Sequence, residues 1–143
     1  MDKIDHAILS ALANDGRLSF RDLAARVHLS PNAVAERFRR LRENGTIRRI
    51  RADLDPAAFG RTLEAVIDIK LAPETPATEF EAALRHLPQL VSAMLLTGSY
   101  DYAVRVACID RDDLVAVTEA LRRHGVRDTY TRLVLRELQL AQP

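Results

Sequence analysis

Residues 20–51, FRDLAARVHLSPNAVAERFRRLRENGTIRRIR, hold two short amphipathic helix patterns on either side of the turn His28-Leu29-Ser30. Ser19, just ahead of the stretch, is placed to cap the first helix, with Asp22 three positions on. Both partners favour the positive N-terminal end of a helix. Phe20, Leu23, Ala24 and Val27 then recur at helical spacing as one apolar stripe. Ser30 followed by Pro31 reads as a second helix start, because proline is tolerated at the first helical position, where no N–H partner exists. Val34, Phe38 and Leu41 form the inner face of that helix, which leaves Asn32, Ala33, Glu36, Arg37 and Arg40 pointing outward. With Ser30 at its cap, this is the hydrogen-bonding and basic surface that a recognition helix offers to double-stranded DNA.

Charge points the same way. Between residues 26 and 51 the chain has eight arginines against two acids, a local balance of +6, whereas the whole chain is only +1. A duplex rewards local positive charge because each neutralised phosphate releases counterions, and the guanidinium fork suits guanine edges in the major groove. The chain is arginine-biased throughout, with 19 arginines against 2 lysines. Composition alone therefore fits a solvated helix face equally well, and it is the clustering beside a two-helix turn that favours DNA.

The flanking segments complete a small helical domain. Asp2 and Asp5 sit where a first helix begins, and Ile4, Ala7, Ile8, Ala11 and Leu12 make its stripe. Asn14-Asp15-Gly16 ends it. The second helix of the pair stops at Asn44-Gly45, with the glycine as C-cap. Residues 46–53 read as a short β segment with Ile47 and Ile50 as its apolar members, so that Arg48, Arg49 and Arg51 form a basic, wing-like strand also expected to touch DNA.

The pattern breaks across residues 53–60, Asp-Leu-Asp-Pro-Ala-Ala-Phe-Gly, and the charge changes sign: residues 1–60 carry +3 and residues 61–143 carry −2. The expected organisation is a DNA-binding domain at 1–52, a linker at 53–62 and a second domain at 63–143. Leu63, Ala65, Ile67, Ile69 and Leu71 alternate with Glu64, Asp68 and Lys70, as in a strand buried on one face. Thr75-Pro76 opens a helix striped by Phe80, Ala83, Leu84 and Leu87, and Pro88 closes it. Strands follow at 91–97 and at 102–108, the latter with Tyr102, Val104, Val106 and Cys108 on one face. Asp110 and Asp113 start a helix striped by Leu114, Val117, Thr118 and Leu121, and residues 129–138 form a last strand. The order β-α-β-β-α-β predicts an α+β, ferredoxin-like domain whose two helices cover one face of an antiparallel sheet. On the other face Val66, Arg105, Tyr130, Arg132, Val134 and Leu138 mix apolar and charged groups, which suits a self-complementary homodimer contact. Such a dimer supplies two recognition helices for a roughly palindromic site with half-sites about one helical turn, or a multiple of it, apart.

Asp2 to Leu9, Asp15-Gly16-Arg17-Leu18-Ser19, Asp22-Leu23-Ala24, Leu29-Ser30, Arg37 to Leu41 and Gly45-Thr46-Ile47, followed by Thr97 to Tyr102, Gly125-Val126, Thr129, Thr131, Val134 and Leu135, are together similar to the Lrp/AsnC transcription regulators. The resemblance covers nearly the whole chain. It implies a "feast/famine" regulator whose second domain binds a small effector, commonly an amino acid, at contacts between subunits or dimers, and which assembles beyond the dimer to tetramers or octamers. The resemblance maps the effector site to Gly98, Ser99, Tyr100, Asp101, Thr129 and Thr131. The chemistry is suitable: glycine lets a backbone amide approach a ligand, Asp101 suits an ammonium group, and the hydroxyls suit a carboxylate. The same four-residue loop also reads as a tight strand connection in which Asp101 bonds its own turn.

Two residues depart from the family pattern. His28 stands where such turns usually carry glycine, so a side chain must accept a left-handed backbone. Ser99 stands where more acidic or polar residues are frequent, so effector identity does not carry over. Other chemistry is sparse. His6, His28, His86 and His124 lie in separate segments without ligand spacing, and the single cysteine, Cys108, sits on an apolar strand face. No metal ligand set, cofactor motif or catalytic nucleophile is expected. One cysteine allows no internal disulfide, and with charges at Asp2, Lys3 and Asp5 and no long apolar run, a cytoplasmic protein without a membrane span is expected. An RNA-binding ferredoxin-like protein would need base-stacking aromatic pairs on its strands, and an enzyme would need a paired acid and base. Neither pattern is present.

Overall fold

The computed structural model describes residues 1–52 and 54–138. They form two compact units, residues 1–52 and Leu54–Leu138, each with its own apolar core.

The first unit is three helices: α1 (Lys3–Asn14), α2 (Phe20–Val27) and α3 (Pro31–Glu43). Each start is capped as the local sequence dictates. Asp2 and Asp5 form a reciprocal box on α1, Ser19 and Asp22 do the same on α2, and the Ser30 hydroxyl accepts from the Ala33 N–H at 3.2 Å on α3. These bonds satisfy amides that have no partner inside the helix. Ile8, Leu23, Ala24, Val34 and Leu41 are the buried centre, with Ile4, Leu12, Val27, Leu29 and Ile47 packed against it. Phe20 is not in the buried stripe. It lies at the rim, 41% exposed, and meets Phe38 edge-on with ring centroids 5.3 Å apart.

The strand expected at 46–53 is not formed among the described residues 46–52. Gly45, at φ 76°, turns the chain, and the Ile47 N–H donates to the Leu41 carbonyl at 2.8 Å, folding Ile47 back onto the core. The alternation of isoleucine and arginine there is real, but a strand needs a hydrogen-bonding neighbour, and the described part of this unit has no other extended segment to pair with.

The second unit opens with a 3-10 turn, Pro56–Phe59, inside the segment read as linker. An antiparallel sheet follows, built from β1 (Leu63–Leu71), β2 (Leu90–Leu95), β3 (Tyr102–Cys108) and β4 (Val126–Leu133) in the order β2-β3-β1-β4. Helices α4 (Ala77–Leu84) and α5 (Arg111–Arg123) complete the ferredoxin-like β-α-β-β-α-β arrangement. Ala65, Ile67 and Ile69 of β1 and Tyr102, Val104, Val106 and Cys108 of β3 join Phe80, Leu84, Val117 and Leu121 of the helices in one core. β2 and β4 differ from their expected limits for local reasons. Leu96 donates its N–H to Asp101 O at 2.8 Å, so β2 already ends in a turn. β4 begins at Val126, immediately after Gly125 at φ 82°, and its ladder stops at Leu133 because β1 has almost run out of partners there.

The uncovered face is organised in rows across the sheet. Val66 pairs with Arg105 on one side and Arg132 on the other, and Asp68 pairs with Tyr130. Arg105 bridges Glu64 (2.7 Å) and Glu137 (2.6 Å), while Arg132 meets Asp68 at 2.6 Å and lies over the Tyr130 ring. Tyr130 and Leu138 remain exposed.

Candidate nucleic-acid interface and effector loop

The turn between α2 and α3 sets the angle of the second helix. His28 adopts φ 56° and ψ 44°, the one left-handed non-glycine among the described residues, and the Leu29 N–H reaches back to Ala24 O at 3.1 Å. This closes α2 while placing Ser30 to start α3.

On α3, Asn32, Glu36 and Arg40 lie on the side away from the core, Ala33 is half-buried, and the Ser30 hydroxyl is used as the cap. Arg37 does not point outward. Its Nη1 donates to Asp2 Oδ2 at 2.7 Å and to Asp5 Oδ1 at 2.8 Å, and only 22% of its side chain is exposed. Each aspartate uses one oxygen for the capping box of α1 and the other for Arg37. The Asp5 carboxyl is thereby held below the usual carboxylate range, first by Arg37 and then by the Asp2 N–H. Arg37 therefore acts as a strut between α1 and α3. Its position on the helix, beside the Val34–Leu41 face, is compatible with that role, but the partners lie more than 30 residues away and leave no local signal.

Arg39 is a surface residue that the sequence reading leaves out of the face meeting DNA. Its side chain is exposed with that of Glu36, and it pairs with Glu36 at 2.6 Å and Glu43 at 3.1 Å. The spacings of three and four residues are the available signal. With Arg37 and Arg39 paired, Arg26, Arg40, Arg42, Arg48, Arg49 and Arg51 have no carboxylate closer than 4.0 Å among the described residues. Arg48, Arg49 and Arg51 are all exposed.

In the second unit, Gly98 has φ 115°, a conformation that L side chains rarely adopt, while Ser99 is exposed and Tyr100 half-buried. Asp101 is committed to β1: Oδ1 accepts from Lys70 Nζ at 2.9 Å and Oδ2 from the Leu71 N–H at 2.9 Å. Its own N–H donates to Ile69 O at 2.8 Å. The Lys70 ammonium, and then the Leu71 N–H, hold the Asp101 carboxyl below its ordinary range. Lys70 is thus the ammonium that Asp101 binds in the single chain. Thr129 and Thr131 are opposite Ile69 and Ile67 in the β1–β4 register, so they belong to the helix-covered side of an edge strand. Thr129 is separated from the start of β3 by the width of β1, about 10 Å for two strand spacings. None of the described cavities is lined by Gly98 to Asp101, Thr129 or Thr131. An apolar groove of 290 Å³ lies elsewhere, between α4 and α5, over Phe80, Leu84, Val117 and Leu121.

Among the described residues no three His, Cys, Asp or Glu side chains are placed to hold a metal, and no helix is long and apolar enough to cross a membrane. Cys108 is buried, and desolvation pushes its thiol up to about 11.

Comparison with known proteins accounts for both units. Residues 1–42 match the AsnC-type helix-turn-helix domain, and residues 64–142 match the Lrp/AsnC ligand binding domain. The chain is 37% identical to the HTH-type transcriptional regulator AldR of Mycolicibacterium smegmatis, across 100% of this chain and 86% of that protein. It is 34% identical to the leucine-responsive regulatory protein of Haemophilus influenzae, across 97% of this chain and 86% of that one. Among solved structures, a Neisseria meningitidis transcriptional regulator in complex with L-Met superposes with a TM-score of 0.88 at 31% identity, covering 98% of this chain and 93% of its own.

Proposed function

The chain belongs to the Lrp/AsnC family of DNA-binding transcriptional regulators, and we propose that it reads duplex DNA with α3 and responds to an amino acid through its second unit. The observation that carries the first half is the outward α3 surface, Asn32, Glu36 and Arg40 beside the Ser30 cap and Ala33, continued by the exposed arginines at 48, 49 and 51. The first group suits base edges in the major groove, and the arginine segment suits phosphates. Arg37 belongs to the frame that orients α3. The test is fluorescence anisotropy with the full chain and labelled duplexes over a salt series. Binding that falls steeply with salt supports the reading, and salt-insensitive or absent duplex binding overturns it.

The second half rests on the ligand-binding family of residues 64–142 and on the amino-acid complex of the Neisseria relative. Gly98, Ser99, Tyr100, Asp101, Thr129 and Thr131 line none of the described cavities, and in this reading the effector site is completed by a second copy. The open sheet face, with its rows of paired charge and exposed Tyr130, is the homodimer surface, and further association builds tetramers or octamers. Within the site Asp101 fixes the loop through Lys70 and Leu71, while loop amides and the Ser99, Thr129 and Thr131 hydroxyls meet the ligand. The regulator works where the chromosome is, in the cytoplasm. Light scattering with and without each amino acid, together with a thermal-shift panel, tests this. A ligand that raises the midpoint of the wild type and not of a Gly98→Val protein is expected. An unchanged response in that variant removes the loop from the site.

A further inference from the structure

The outward stripe of α3 is not uniformly basic. Asn32, Glu36, Arg39 and Glu43 follow one another at helical spacing, and Arg39 occupies the middle with its guanidinium engaged on two sides. Its Nη2 and Nε donate to the two Glu36 oxygens at 2.6 and 3.3 Å, and its Nη1 donates to Glu43 Oε1 at 3.1 Å. These side chains are 56–60% exposed, so the pairs contribute little to stability. On a surface that meets a polyanion, two carboxylates oppose phosphates of any sequence and hold back one of its cations. That arrangement weakens indiscriminate binding and requires an exchange before Arg39 can act.

We propose that Glu36 is a specificity-determining residue that reads a cytosine, with Arg39 as its exchangeable counterion. Facing a cytosine, the Glu36 carboxylate accepts a hydrogen bond from the N4 amino group in place of Arg39, and Arg39 turns to a backbone phosphate. Facing guanine or thymine, Glu36 meets only acceptors, and at adenine the N6 donor stands beside the N7 acceptor, which repels a carboxylate; there Arg39 stays paired and the carboxylates repel the backbone. This inference rests on the reading that α3 enters the major groove.

The test uses the full chain. Wild-type protein selects duplexes from a random pool, and affinities for the selected duplex and a scrambled one are measured across salt for wild type, Glu36→Ala and Glu36→Ala/Arg39→Ala. Glu36→Ala is expected to erase the selected cytosine and to shrink the selected-to-scrambled ratio about tenfold, the range for one mismatched base pair. Freed from Glu36, Arg39 should steepen the salt dependence on scrambled duplex by about 0.9 per added phosphate contact, and the double variant should abolish that gain. Alanine is a strong helix former at this exposed position, and an unchanged circular dichroism spectrum verifies the fold. If wild type shows no salt-sensitive binding, the DNA-reading assignment itself fails. If wild type binds and selects but Glu36→Ala keeps the same base and ratio, or weakens both duplexes alike, the Glu36 inference alone is overturned.

Discussion

Replacing His28 by glycine should stabilise the helix-turn-helix unit, although the change deletes a whole side chain. His28 sits at φ 56°, ψ 44° at the end of α2. A left-handed conformation costs an L-residue about 1–2 kcal/mol relative to glycine. Against this, glycine gives the unfolded chain more freedom, which offsets about 0.4–1 kcal/mol. The net expectation is a gain of about 0.5–1 kcal/mol, or roughly 3–6 °C in the midpoint for a unit of this size. The chain has no tryptophan, so thermal and urea unfolding are best followed by circular dichroism at a helical wavelength. Hydrogen exchange at Leu29, whose N–H bonds Ala24 O at 3.1 Å, reports on the turn itself. Glycine should slow that exchange, and DNA affinity at low temperature should not change, since the backbone path is the same. His28→Val should do the opposite, because a β-branched side chain tolerates this conformation least. A His28→Gly protein no more stable than wild type, or one that loses Leu29 protection, would refute the claim that the turn stores strain.

Arg37→Met should lower the unfolding midpoint by a few degrees near neutral pH through loss of the strut to Asp2 and Asp5. Because the Asp5 and Asp2 carboxyls are held low in the folded state, this stability is full above their unfolded value of about 4 and fades as pH falls through the lower folded value; a midpoint gap between wild type and variant that does not narrow as pH is lowered below that unfolded value would contradict it. Gly125→Ala should cost about 2–4 kcal/mol in urea titrations, since left-handed strain adds to a forced displacement of a packed neighbour. The new Cβ would stand 2.1 Å from Thr75 Oγ1, so adding Thr75→Ala should recover part of the loss, and strictly additive effects would count against that clash. Arg49→Ala should lower affinity for selected and scrambled duplexes about equally and reduce the salt slope by about 0.9 per lost contact, with a base-dependent loss as the contrary result.

How much of this is legible in the sequence depends on how far apart the interacting residues are. The caps at Asp2, Ser19 and Ser30, the period-two alternation of residues 63–71 and the apolar faces of α3 and β3 are local patterns, and each produces the expected element. The strand at 46–53 fails because alternation is local while strand formation needs a partner elsewhere. Arg37 reads as a base contact in the sequence because its distance to Asp2 and Asp5 is bridged only by the packing of α1 on α3. Asp101 and Lys70 are likewise brought together by the β1–β3 ladder. For the effector, the sequence offers candidate groups without an enclosure, and none of the described cavities is lined by them.

The arginine cluster changes meaning once its partners are known. Counting charges along residues 26–51 treats all eight arginines as equivalent phosphate ligands. Counterion release, however, depends on cations that are free before DNA arrives, and the fold sorts the cluster by that criterion. Arg37 is committed to the frame, Arg39 is held by two glutamates, Arg40 stands 4.0 Å from Asp5, and Arg26, Arg42, Arg48, Arg49 and Arg51 have no ion pair among the described residues. The outward surface of α3 itself combines an amide, two carboxylates, the paired Arg39 and the exposed Arg40, which stands 4.0 Å from Asp5. A protein built only to hold DNA would leave no carboxylates at that centre. Placing Glu36 and Glu43 there lets the exposed arginines of residues 48–51 supply affinity for any sequence, while the mixed charge of α3 makes a close approach conditional on the bases it meets.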